Sequence, residues 1–119
     1  MTKLMTVRSD NFEQEVLRAE QPVLVDFYAD WCSDCKALSP VVEAVAAELA
    51  GRLLVYLLDV DKDEPLSERY GVKSIPTLIL FRSGKEVKRF VDFISKPELL
   101  AALAPYLGTR ATPASAASQ

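Results

Sequence analysis

The chain contains no histidine and only two cysteines, and these scarcities remove much of the chemistry that 119 residues could otherwise carry. Without histidine, a Cys-His nucleophile pair of the protease kind cannot be assembled. A four-ligand zinc site would need carboxylates or a second subunit to supplement one cysteine pair, so no metal site is expected. No apolar run reaches the 18 residues of a membrane-spanning helix, so no membrane contact is expected. The net charge of −3 offers no basic footprint for nucleic acid. The opening Met1-Thr2-Lys3-Leu4-Met5-Thr6-Val7 lacks the apolar stretch of a secretory signal, and a cytoplasmic location is expected. In that compartment two cysteines fall far short of a disulfide framework and read as reactive rather than structural.

What is present suffices for one compact domain. Half of the residues are hydrophobic, enough to bury a real core, and there is no internal repeat. The domain is expected over residues 1–108. Residues 109–119, an Ala/Ser/Thr/Pro tail after Gly108, have too little apolar surface to fold alone and are expected to be disordered.

Periodicity gives the order strand, helix, strand, helix, strand, helix, strand, strand, helix. Asp10 and Glu13 have capping-box spacing, predicting a helix that ends near Ala19. Val23 to Tyr28 is apolar on both faces except for Asp26, which predicts a central strand covered on both sides. From Cys32 to about Ala50, Leu38, Val41, Val42, Val45 and Leu49 recur at helical spacing, with Pro40 expected to kink the helix and Gly51 to stop it. Leu53 to Leu58 reads as another doubly apolar strand, and Pro65 to Tyr70 as a short helix closed by Gly71. Thr77 to Phe81 and Glu86 to Val91 form a hairpin around Ser83-Gly84, the second strand alternating as an edge strand does. Lys96 to Leu107 is a last amphipathic helix capped by Ser95, with Pro97 in its first turn.

Both cysteines lie in Trp31-Cys32-Ser33-Asp34-Cys35-Lys36, between the Val23 strand and the helix after it. If Cys32 occupies the N-cap region, unpaired backbone N–H groups and the helix dipole stabilise negative charge on its sulfur. Cys35 falls one turn further in and is expected to be shielded. The positions are close enough for a disulfide, with an exposed sulfur to attack another disulfide and a buried one to resolve the mixed species.

Val25-Asp26-Phe27 before Trp31-Cys32…Cys35-Lys36, then Pro40, Tyr70-Gly71-Val72, Ser74-Ile75-Pro76-Thr77 and Phe81…Gly84, make a pattern that resembles the thioredoxin family from about Asp10 to Leu107. The resemblance implies an α/β, thioredoxin-like three-layer sandwich, a central mixed β-sheet with helices on both faces. It implies a protein dithiol–disulfide oxidoreductase that reduces disulfides of cytoplasmic proteins through a reversible Cys32–Cys35 disulfide. That disulfide replaces any cofactor, a flavin-dependent thioredoxin reductase recycles it, and the protein is a monomer. Cys32 would be the nucleophile, Cys35 the resolving thiol, and Asp26 a buried carboxylate that helps move a proton at Cys35. The Ile75–Pro76 bond would be cis, beside the sulfurs, presenting the Ile75 backbone to an extended substrate that Trp31, Ser74 and Asp92 also contact.

Four departures from the family's usual pattern, covering six positions, stand out. Ser33-Asp34 replaces Gly-Pro between the cysteines, Tyr28 a tryptophan, Leu57 a lysine that commonly partners the buried carboxylate, and Asp92-Phe93 a glycine and a small residue. Ser33, Asp34 and Lys36, beside the cysteines, are expected to tune the thiols, and Asp26, without a lysine partner, to have a raised pKa from desolvation. Asp34, Asp61 and Asp92 would ring the site with negative charge. The alternative is a thioredoxin-fold binding or assembly subunit in which the cysteine pair is incidental.

Overall fold

A computed structural model of the chain describes residues 4–108. The expected tail at 109–119 lies outside the described residues. Five strands and three α-helices follow the predicted order: β1 Met5–Thr6, β2 Val23–Tyr28, α1 Ser33–Glu48, β3 Leu54–Asp59, α2 Glu64–Arg69, β4 Thr77–Arg82, β5 Lys85–Val91 and α3 Lys96–Leu107. The sheet order is β1-β3-β2-β4-β5. β1, β3 and β2 run parallel, while β4 is antiparallel to both β2 and β5.

The strand apolar on both faces is the central one. Val23 to Phe27 are all buried, because β2 is paired on both edges and covered on both faces. Alternation divides the core in two. Leu24, Leu78 and Leu80 face a layer in which Leu38, Val42 and Val45 of α1 meet Leu99, Leu103 and Leu107 of α3. Val23, Val25, Phe27, Ile79 and Phe81 face the opposite layer, with Phe12, Val16 and Leu66 of α2. The three-layer α/β arrangement expected from the sequence is thus the one observed.

α1 runs as one element through Pro40. α3 has the expected bounds and a complete capping box, in which Ser95 Oγ accepts the Glu98 N–H at 3.3 Å. β5 is the sheet edge that its alternation predicts, and the hairpin before it turns through Ser83 (φ 54°) and Gly84 (φ 79°). A side chain at Gly84 would also bring its Cβ within 3.1 Å of the Leu17 carbonyl oxygen.

The first helix departs from expectation. Instead of an α-helix capped by Asp10, there is a five-residue π-helical turn, Glu13–Leu17, whose N-cap position, Phe12, gives no side-chain cap. Glu13 does not reach back to a capping box but pairs with Arg18 at 2.9 Å, and Asn11 Oδ1 accepts the Arg8 N–H at 2.8 Å. β3 is also less buried than predicted. Within it only Val55 and Leu58 are buried, since its outer neighbour β1 spans two residues.

Candidate active site

β2 delivers the chain to the top of the sheet at Tyr28, and Cys32 becomes the N-cap of α1 with extended backbone (φ −90°, ψ 110°). The sulfur takes the position that a serine or aspartate oxygen occupies in an ordinary N-cap. Its Sγ accepts the Cys35 backbone N–H at 3.1 Å. Cys32 and Cys35 are joined in a disulfide, with Cα atoms 5.2 Å apart. The expected contrast in burial is absent: Cys32 is 7% exposed and Cys35 6%. The loop ahead of α1 and the Ile75 segment close over Cys32, so the two sulfurs differ in their partners rather than in their exposure.

The Ile75–Pro76 peptide is cis. The Ile75 carbonyl oxygen lies 3.8 Å from Cys32 Sγ, and the Ser74 carbonyl accepts the Thr77 hydroxyl at 2.6 Å. On the other side of this segment the Asp92 N–H donates to the Pro76 carbonyl at 3.0 Å. Asp92 adopts φ 74°, the left-handed region that favours glycine. Trp31 is 70% exposed, and its Nε1–H donates to Asp61 Oδ2 at 2.8 Å. The cis segment thus has Cys32 against Ile75, the Asp92 backbone against Pro76, and Trp31 beside Ser74 and Ile75.

Asp26 is on the face of β2 that looks towards α1, opposite Leu57 in the register of β3. It is 3% exposed, and Oδ1 has no hydrogen-bond partner among the described residues. Burial pushes its carboxyl up to about 7. A pocket of about 180 Å³ opens beside it, shared with Cys35, Tyr28, Lys36, Ser39 and Leu57. The carboxyl thus shares a solvent-reachable space with the inner cysteine. Burial, and after it the charges of Asp59, Asp30 and Asp26, hold the Tyr28 phenol above its ordinary range.

Ser33 and Asp34 are exposed in the first turn of α1 and do not line the Asp26 pocket, whereas Lys36 borders it. Sequence reasoning missed Ser39, although its place one helical turn after Cys35 put it on the same face. It also missed a groove of about 200 Å³ in which Val60, Ser67, Val72 and Lys73 join Trp31, Ser74 and Ile75. No spacing rule connects those segments with Trp31; only the folded chain brings them together. Among the described residues no cluster of three or more Cys, Asp or Glu is arranged to hold a metal ion, and no helix is long and apolar enough to cross a membrane.

The family model for Thioredoxin matches residues 3–105. A thioredoxin of Pseudomonas aeruginosa is 42% identical over 100 residues, covering 84% of this chain and 93% of its own length. One from Acidithiobacillus ferridurans is 41% identical with the same coverage. Thioredoxin 1 of a Nostoc species is 36% identical over 107 residues, covering 90% of this chain and all of its own. These matches favour redox chemistry over an assembly subunit with an incidental cysteine pair. With the disulfide at the head of α1, they show that the chain belongs to the thioredoxin family and is a dithiol–disulfide oxidoreductase.

Proposed function

We propose that this protein reduces disulfides of cytoplasmic proteins, with Cys32 as nucleophile, Cys35 as resolving thiol and Asp26 as the group that takes the Cys35 proton. In the reduced protein the Cys32 thiolate attacks a substrate disulfide. A bond forms between Cys32 Sγ and one substrate sulfur while the substrate S–S bond breaks, and the other sulfur leaves as a thiolate. Cys35 then passes its proton to the Asp26 carboxylate and attacks Cys32 Sγ. The mixed disulfide breaks, the second substrate sulfur leaves, and two electrons have moved from the Cys32–Cys35 pair to the substrate. A flavin-dependent thioredoxin reductase returns them, and the protein works as a monomer with no cofactor beyond its disulfide.

The observation that carries this assignment is the Cys35 N–H that donates to Cys32 Sγ at the start of α1. After reduction the same donor, with the helix dipole behind it, stabilises negative charge on Cys32 and not on Cys35. The substrate lies extended along Ile75 and cis-Pro76, flanked by Trp31, Ser74 and Asp92. Asp34, in the first turn of α1, opposes the dipole, while Ser33 and Lys36 complete the polar surroundings of the pair.

The test is covalent trapping. Cys35→Ser can still attack but cannot resolve, so it should accumulate a mixed disulfide with substrate through Cys32, visible on a non-reducing gel and located by peptide mapping. Cys32→Ser should accumulate none. Trapping by Cys32→Ser in place of Cys35→Ser would reverse the two roles.

A further inference from the structure

The groove beside Trp31 has apolar walls from Val60, Val72, Ile75 and the indole, and one buried hydroxyl among them. Ser67, on α2, is 8% exposed, and its Oγ has no hydrogen-bond partner among the described residues. Its backbone is committed elsewhere, the carbonyl accepting the Val72 N–H at 2.9 Å. A buried hydroxyl left unpaired is a standing penalty, and in a native structure it calls for an explanation. Ile75 forms part of the groove and its carbonyl is 3.8 Å from Cys32 Sγ, so a polypeptide bonded to Cys32 runs beside the groove.

From this juxtaposition we infer that Ser67 is a specificity-determining residue, selecting substrates that carry a tyrosine within two residues of the attacked cysteine. The ring of such a side chain fits the apolar walls and meets the indole of Trp31, an arrangement aromatic pairs favour. Its phenol lies within the same lining as Ser67, whose Oγ, buried as it stands and turned inward by one χ1 step, is both donor and acceptor. Phenylalanine fills the same space but leaves the serine hydroxyl unpaired. A site built around a hydroxyl discriminates against the analogue lacking it far better than an apolar pocket discriminates by size. The inference rests on the thiol chemistry proposed for Cys32 and adds the class of polypeptide that reaches it.

The test uses pairs of synthetic disulfide peptides identical except for Tyr or Phe, placed in turn at the two positions on either side of the attacked cysteine, with dithiothreitol regenerating the protein. Wild type should show a Tyr/Phe ratio in kcat/KM of about five at one of these positions, the effect of one hydrogen bond. Ser67→Ala should bring that ratio to about one. A ratio near one at every position in wild type overturns the inference while leaving the thiol assignment intact, and that comparison requires no variant to fold. A ratio unchanged in Ser67→Ala overturns it equally. Failure of wild type to reduce either peptide overturns the thiol assignment and this inference with it.

Discussion

Two aspartates are buried in this molecule, and the chain treats them in opposite ways. Asp63, 7% exposed, caps α2: its carboxylate accepts the Ser9 N–H at 2.5 Å, the Ser9 hydroxyl at 2.8 Å and the Leu66 N–H at 3.2 Å. Burial alone would push its carboxyl up, but the Ser9 and Leu66 donors and the Arg8 charge overcome that and hold it below the usual range. Asp26, 3% exposed, has Leu57 opposite it and an oxygen with no partner among the described residues, and burial acts unopposed. The difference separates a carboxylate held charged from one free to titrate. A carboxylate kept charged by several donors fastens two segments together, whereas one left without donors near the middle of its titration range can exchange a proton.

The largest effect expected from this contrast is at Asp26. Its folded pKa of about 7 lies above the ordinary aspartate value of 3.8, so the folded state prefers the neutral acid. The resulting destabilisation is absent below pH 4, grows between 4 and 7, and is constant above that. Asp26→Asn resembles the neutral form and should stabilise the fold at pH 8 by up to about 4 kcal/mol, with almost no gain near pH 4. Urea denaturation at the two pH values checks this. A mutant less stable at pH 8 would break the comparison.

Asp63 should behave with the opposite sign. Asp63→Ala leaves the Ser9 and Leu66 donors without their acceptor and should cost on the order of 3 kcal/mol at neutral pH. Because the folded pKa is lowered, the stabilising contribution is present above about pH 4 and is lost as pH falls through the folded value. The gap between wild type and mutant, measured by denaturant titration, should therefore narrow in acid.

The third carboxylate, Asp34, is exposed in the first turn of α1 and should matter least. Its charge opposes the helix dipole and disfavours the Cys32 thiolate relative to the disulfide. Asp34→Asn should raise the reduction potential by up to about 20 mV at low salt, with a smaller shift at high salt. Equilibration against a glutathione or dithiothreitol couple reads the shift, and identical potentials would leave Asp34 as a solvated helix-start residue.

Legibility in the sequence followed the range of the interactions. The double-faced β2, the edge strand β5 and the capped α3 are written in local periodicity, and the structure has them where that periodicity puts them. The capping box expected at Asp10 is not there: the turn begins at Glu13 with Phe12 at the cap position, and the Glu13 side chain pairs with Arg18. The cap that does hold α2, Asp63, went unread because two of the three hydrogen bonds its carboxylate accepts come from Ser9, on a distant segment. The site was legible as a Cys-x-x-Cys pair with a buried aspartate nearby. Its surroundings were not, since Ser67 and Val72 meet Trp31 only through the packing of α2 and the segment after it against the head of the sheet. The burial of Cys32 was missed for the same reason: the Ile75 segment that comes against it is distant in sequence.

The account turns on Asp26 taking the Cys35 proton, and the pH dependence of mixed-disulfide resolution tests this most directly. Single-turnover release of substrate from the Cys32-linked species should accelerate with rising pH, with a midpoint near 7, as a general base of that pKa requires. In Asp26→Asn the step should be slower by about 10²-fold or more and should lose that midpoint. Superimposable profiles for wild type and Asp26→Asn would contradict the account and leave Asp26 a buried carboxyl with no part in the chemistry.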